Sequence, residues 1–259
     1  MTIQVHKNWW KHLFDEVYLQ TDARSVCNDD LTVQEVDFLE KKLNLNKSWF
    51  ILDLCGGQGR HALELSRRGF SRVTTLDYSV YLTRFGKQLA QKEHLNTFFI
   101  RGDARYTGLS SEGFQVIIIM GGSFGYFVQE EENKKILNEA FRLLVPAGRL
   151  LLDIPDRNYV LRNFKPFSSH RVRNDIEVSR ARELGQNIIY CWERVNSVSK
   201  GLIREKTYCT RLYSPQKISG LLNDVGFSNI ICKNEFMCRD SEGDYGTLTS
   251  RMIVKAEKQ

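Results

Sequence analysis

FILDLCGGQGRHALEL, residues 50–65, is the stretch that decides the fold. A short apolar run meets an acid, three glycines follow within residues 56–59, and a helical pattern opens behind them. A strand that turns through such a loop into a helix offers free backbone amides where part of a nucleotide can be held. Gly57-x-Gly59-x-x-Ala62 fits the dinucleotide fingerprint, in which those amides cradle a pyrophosphate. Asp53 speaks against that use. A carboxylate in the same turn repels a pyrophosphate by about 1 kcal/mol or more at contact distance, even under strong water screening, and draws in a ligand that carries positive charge.

From Trp49 onward, short apolar runs and longer helical patterns alternate: FILDL, a helix closed by Gly69, RVTTLD, a helix over about 80–93 capped by Ser79, TFFIRGD, QVIIIM, a helix over about 130–144, and RLLLDI. Strict alternation predicts an α/β fold, a doubly wound parallel sheet covered on both faces. The unbroken apolar run VIIIM is what a strand buried on both faces requires. Before this frame, residues 8–20 place Trp10, Leu13, Phe14 and Val17 at helical spacing, and Thr32-Val33-Gln34-Glu35 reads as a capping box opening a helix over 32–43. After it, three β-like runs in 175–213 form an antiparallel meander, Ser214-Pro215 starts a helix that Gly226 stops, and FSNIICKN and SRMIVKAE supply two last strands.

The bulk numbers set limits. At 259 residues and 42% hydrophobic content the chain is expected to form one domain carrying an insertion. No apolar stretch nears the roughly 18 residues of a membrane span, and charges interrupt the apolar positions of MTIQVHKNWWKHLFDEV, so no membrane and a cytoplasmic location are expected. Six cysteines without a C-x-x-C pair read as free thiols, with no metal site. The net charge of +6 keeps nucleic acid possible but not favoured, because the excess is scattered in small pairs beside acids.

In an open parallel sheet, ligands bind beyond the carboxyl ends of the strands. Asp53, Asp77 and Asp103 each stand at such an end. Asp77, about 20 residues past the loop, can accept from a ribose diol of any nucleotide. Asp103, followed by Ala104, can accept from the exocyclic amine of adenine while the next amide donates to a ring nitrogen. S-adenosylmethionine (AdoMet), with its ammonium and sulfonium and no phosphate, suits all three acids.

LDLCGGQGRH, TLDYS, RGDAR and the hairpin around SRMIVKAE resemble class I AdoMet-dependent methyltransferases over roughly residues 45–157 and 211–256. The resemblance implies a Rossmann-like sheet of seven strands with the last antiparallel. It also implies that Asp53, Gly57 and Gly59 face the methionyl part of AdoMet, Asp77 the ribose, Tyr78 the adenine face, and Asp103 with Ala104 the adenine edge. Cys55 stands where that family more often has glycine, so backbone torsions suited to a side chain are expected there, leaving Gly57 and Gly59 as the glycines the loop needs.

IIIMGGSFGYF, residues 117–127, follows the fourth strand, which in this family borders the methyl group. It lacks the marks of adenine or cytosine methylases and is similar to the Ser-Phe/Ile-Gly-Tyr stretch of small-molecule N- and O-methyltransferases. Glycines such as Gly121 let a ligand approach the backbone closely. Ser123, Tyr126, Tyr18 and His170 are the candidates for base or positioning group, whereas His61 reads as packing. Tyr190, Trp192, Tyr208, Arg211 and Tyr213 of the meander are expected to line an acceptor pocket or to pack that sheet. The expected organisation is a helical cap over 1–45, an AdoMet-binding domain over 46–157 and 211–259, and an inserted β region over 158–210 that meets substrate. The expected activity is methyl transfer to nitrogen or oxygen of a small molecule, by a monomer or homodimer. The alternatives are an RNA or protein methyltransferase, a non-catalytic AdoMet-binding regulator and, weakest because of Asp53, an NAD-dependent dehydrogenase.

Overall fold

In the computed structural model, residues 2–172, 175–234 and 250–259 are described. The parallel frame consists of β1 (Ile51–Leu54), α5 (Arg60–Arg67), β2 (Val73–Asp77), α6 (Val80–Lys92), β3 (Thr97–Arg101), β4 (Phe114–Ile119), α7 (Glu130–Leu143) and β5 (Leu144–Pro155). Helix α9 (Pro215–Val225) and strands β10 (Phe227–Lys233) and β11 (Arg251–Lys258) complete it. The sheet order is β10-β11-β5-β4-β1-β2-β3, and β11 runs antiparallel to both its neighbours. This is the expected seven-stranded, Rossmann-like, doubly wound sheet. Strand order reverses between β1 and β4, which fixes where a ligand sits.

Period-two alternation splits the core. Leu52, Leu54, Ile117 and Ile119 face α7 and α9, joining Leu137, Ala140, Ile218 and Leu222. Ile51, Val116 and Ile118 face the other way, joining Ala62 and Leu65 of α5 and Val36, Leu39 and Leu43 of α4 (Asp29–Leu43). Asp53 shares that second face with Ile51, one step nearer the strand end. Ser79 caps α6 by accepting from Leu82 N, as the sequence predicts.

Four expectations need correction. The single helix over 8–20 is two, α1 (Trp10–Leu13) and α2 (Glu16–Thr21), because Asp15 turns extended and its carboxylate caps α2 at Tyr18 N. α4 starts earlier than Thr32, with Asn28 as its cap; Thr32 Oγ1 donates to Asn28 O, and Glu35 is buried against Arg60 and His61 instead of closing a capping box. A short helix α8 (Arg157–Arg162) precedes the inserted region. That region holds four strands, β6 (Phe167–Val172), β7 (Ile176–Leu184), β8 (Ile188–Ser197) and β9 (Gly201–Arg211), in one antiparallel sheet. β6 hides inside the polar run SSHRV, because an outer strand that buries few side chains needs no apolar alternation. α3 (Ala23–Val26) completes the cap, and no described helix is long and apolar enough to cross a membrane. Five cysteines are free thiols; Cys238 lies outside the described residues.

Candidate active site

Two adjoining cavities lie beyond the carboxyl ends of β1, β2 and β4. The larger, about 220 Å³, is bounded by Asp53, Gly57, Asp77, Gly121, Ser123 and Tyr126 of the frame, by Tyr18 of the cap, and by Arg180, Glu193, Arg204 and Tyr208 of the second sheet. The smaller, about 60 Å³, is bounded by Asp77, Tyr78, Asp103, Ala104 and Phe127, with Trp10 of the cap. Phe14, Cys55, Asp77, Ser123 and Tyr126 border both.

Asp53 is fully buried, and neither carboxylate oxygen makes a well-formed hydrogen bond, the Ala62 amide approaching it only weakly. Burial pushes its pKa up to about 6, against the pull of His61 and Arg60. An unpaired buried carboxylate is costly and suits a ligand that brings a cation. A methionyl ammonium and sulfonium fit that requirement, and a pyrophosphate does not. Gly56 makes the geometry possible, since a Cβ there would stand 2.5 Å from Asp53 Cγ. Sequence reasoning passed over this glycine.

Asp77 binds the loop itself: its Oδ2 accepts from Gly57 N at 2.8 Å and its Oδ1 from Ser79 N at 2.8 Å. Burial nevertheless raises its pKa. Asp103 is ion-paired with Arg105 at 2.6 Å, and although burial works the other way, Arg105 holds its carboxyl below the usual range.

Gly59 lies on neither cavity. It caps α5 at φ +72°, and a Cβ there would meet the Phe99 ring at 2.7 Å, so packing against Phe99 requires a glycine there. His170 lies on β6, the outer strand of the second sheet, and also borders neither cavity. Tyr213 is buried against Phe124, and of the five meander residues considered above only Tyr208 reaches the larger cavity.

Cys55 has φ +61°, in the left-handed region, and not the torsions expected for it. A side chain there costs about 1–2 kcal/mol. Against this, glycine adds about 0.5–1 kcal/mol of unfolded-chain entropy, and the half-buried thiol loses its packing against one edge of the core. Cys55→Gly is therefore expected to change stability by less than about 1 kcal/mol, seen as a urea midpoint close to the parent's at unchanged slope.

The turn after β4 runs through Gly121 and Gly122, both at positive φ. Asp153 holds it, accepting from Gly121 N at 2.9 Å through Oδ2 and from Gly122 N at 3.1 Å through its carbonyl. Arg251 donates to Asp153 Oδ1 at 2.8 Å and packs where a Gly122 side chain would stand. Ser123 Oγ donates to Met120 O at 2.9 Å and also hydrogen-bonds the Tyr126 hydroxyl. Burial raises the pKa of Tyr126, Tyr18 and Tyr208, so all three hydroxyls keep their protons at neutral pH.

An ionic network missed by sequence reasoning walls the far side. Glu193 accepts from Arg180 Nε at 2.8 Å and from Arg204 Nη2 at 2.7 Å; Arg180 continues to Asp22, and Arg204 to Asp15 and to Leu13 O. Arg180 stands directly opposite Glu193 across the β7–β8 ladder. Only the period of two in RARE and YCWERV could have signalled it, and that does not say which face turns inward. His61 and Arg60 likewise belong to a buried pair with Glu35, joining the glycine loop to α4.

Residues 51–148 match the family model described as a methyltransferase domain. A glycine/sarcosine N-methyltransferase of Halorhodospira halochloris is 26% identical over 233 residues, covering 84% of this chain and 80% of its own. Among solved structures, an S-adenosylmethionine-dependent methyltransferase from Clostridium acetobutylicum superposes with a TM-score of 0.75 at 13% identity, covering 93% of this chain and 96% of its own. CalS10, an amino pentose methyltransferase from Micromonospora echinaspora solved with S-adenosylmethionine bound, superposes at 0.65 and 14% identity, covering 96% and 99%. Sheet order, glycine loop, strand-end acids and matched domain agree, and the chain is a class I S-adenosylmethionine-dependent methyltransferase.

Proposed function

We propose that the protein methylates a nitrogen of a small molecule held in the larger cavity. AdoMet, when bound, supplies a methyl group already activated by its sulfonium. In this reading Asp53 and Gly57 hold the methionyl end, Gly121 lies beside it, Asp77 takes the ribose diol, Tyr78 the adenine face, and Asp103 with Ala104 the adenine edge. The protein's further task is to orient the acceptor and keep water out, and such positioning is worth about 7–11 kcal/mol.

The observation that carries the choice of nitrogen is the protonation of the groups around the acceptor. Tyr126, Tyr18 and Tyr208 keep their protons, and Glu193, although burial opposes it, is held below the ordinary carboxylate range by Arg180 and Arg204. The three tyrosines are not bases near neutral pH, Glu193 is only a weak one while both guanidiniums hold it, and Asp53, pushed up to about 6, is engaged by the methionyl ammonium in this reading. A hydroxyl acceptor needs a base; an amine that arrives neutral does not. Ser123 and Tyr126 therefore act as hydrogen-bonding positioners, with Tyr18 opposite them. An acidic group on the acceptor finds a donor in Arg204 Nε, which is buried and unpartnered. The names of the relatives, glycine/sarcosine and amino pentose methyltransferases, support an amine acceptor.

An RNA substrate is disfavoured by the pairing of the cavity's arginines: Arg60, Arg180, Arg204 and Arg251 each face a carboxylate, so the basic surplus is not gathered here. Incubation with methyl-labelled AdoMet and fractionated cell extracts tests the reading. Label is expected in low-molecular-weight amines. Label confined to RNA, protein or neutral alcohols would overturn it.

A further inference from the structure

The smaller cavity has frame residues for its floor and walls, but its cover comes from the cap. The Trp10 ring lies 4.6 Å from that of Tyr78 and 5.6 Å from that of Phe127, edge-on to both. The Arg105 guanidinium sits 5.0 Å from Trp10 and 4.6 Å from Phe127, fixed by Asp103 and Glu132. Trp10 is only 9% exposed, although it belongs to a helix of four residues that has no stability of its own. Tertiary contacts alone hold it there: Ser79 Oγ donates to Phe14 O at 2.6 Å, and Arg204 Nη1 to Leu13 O at 3.0 Å. The same segment puts Trp9, Leu13, Phe14 and Tyr18 on the wall of the larger cavity. One short piece of chain thus closes one cavity with Trp10 and builds the other with its neighbours.

We infer that Trp10 is an adenine-binding residue, and that AdoMet, by engaging it, tightens the cap segment whose neighbouring residues wall the acceptor cavity. The inference rests on the methyltransferase reading and on the smaller cavity as the adenine site. A base against an aromatic side chain corresponds to about 5- to 150-fold in affinity. Calorimetry with S-adenosylhomocysteine on the full chain, Trp10→Phe and Trp10→Ala provides the test. The alanine variant is expected to bind about 10- to 100-fold more weakly, and the phenylalanine variant within about threefold of the parent. Amide exchange over residues 9–18 should slow on ligand binding in the parent and in Trp10→Phe. Equal affinity of Trp10→Ala and the parent, or unchanged exchange over 9–18 in the parent, would overturn the inference. Should the alanine variant fail to fold, Trp10→Leu takes its place: the same loss of affinity is expected, and affinity equal to the parent overturns the inference. A parent that does not bind S-adenosylhomocysteine at all overturns the underlying reading instead.

Discussion

Glu193→Ala is expected to lower the stability of the fold by about 3 kcal/mol, the low end of the 3–5 kcal/mol range for breaking a buried ion pair. Glu193 is 2% exposed and neutralises two guanidinium groups that are themselves buried. Asp22 and Asp15 still reach Arg180 and Arg204 after the substitution, which is why the low end applies. In a chain of this size that loss corresponds to roughly 6–12 °C in melting temperature. Glu193→Gln keeps the acceptor oxygen and is expected to lose less. The pH dependence has a definite sign. The folded pKa of Glu193 lies below its ordinary value of about 4.3. Its contribution is therefore fully present above that value and is lost as pH falls through the lower folded pKa. Thermal melts of parent and Glu193→Gln should converge only as pH falls below that lowered folded pKa. A gap that persists there would show that the charge of Glu193 is not what stabilises the sheet.

The frame was legible because its signals are local. Each strand of the parallel sheet is an apolar run bounded by turn residues, each helix that follows has its period, and the acids at 53, 77 and 103 stand at strand ends. Where a second partner from far along the chain decides, the sequence was silent. Glu35 has the spacing of a capping box, yet burial against Arg60 and His61 outweighs the capping bond. Cys55 was expected to avoid a positive φ, but the loop requires that torsion whatever residue occupies it. Gly56 matters because of the Asp53 carboxylate beneath it, and Gly59 because of Phe99, a strand away. The arginines of the second sheet meet the cavity only through a register that no run of residues announces. His170 shows the converse: a histidine in a polar run invites a chemical role, and its outer strand places it on neither cavity.

Asp77→Ala is expected to abolish useful cofactor binding. Both oxygens already hold backbone amides, one in the glycine loop and one at the start of α6, so the carboxylate fixes the two segments that form the ligand's cradle. Each oxygen has a second lone pair for a ribose hydroxyl. Two charged hydrogen bonds at about 1.5 kcal/mol each amount to roughly 150-fold in affinity, before any loosening of the loop is counted. Asp77→Asn keeps one acceptor and should fall between the two.

The most direct test of the account is a calorimetric titration of the full chain with S-adenosylhomocysteine and, separately, with NAD. One S-adenosylhomocysteine per chain is the result predicted, weakened at least about 100-fold in Asp77→Ala, with no heat from NAD. Saturable binding of NAD with none of S-adenosylhomocysteine would contradict it, and would mean that the carboxylate of Asp53 does not govern what the glycine loop holds.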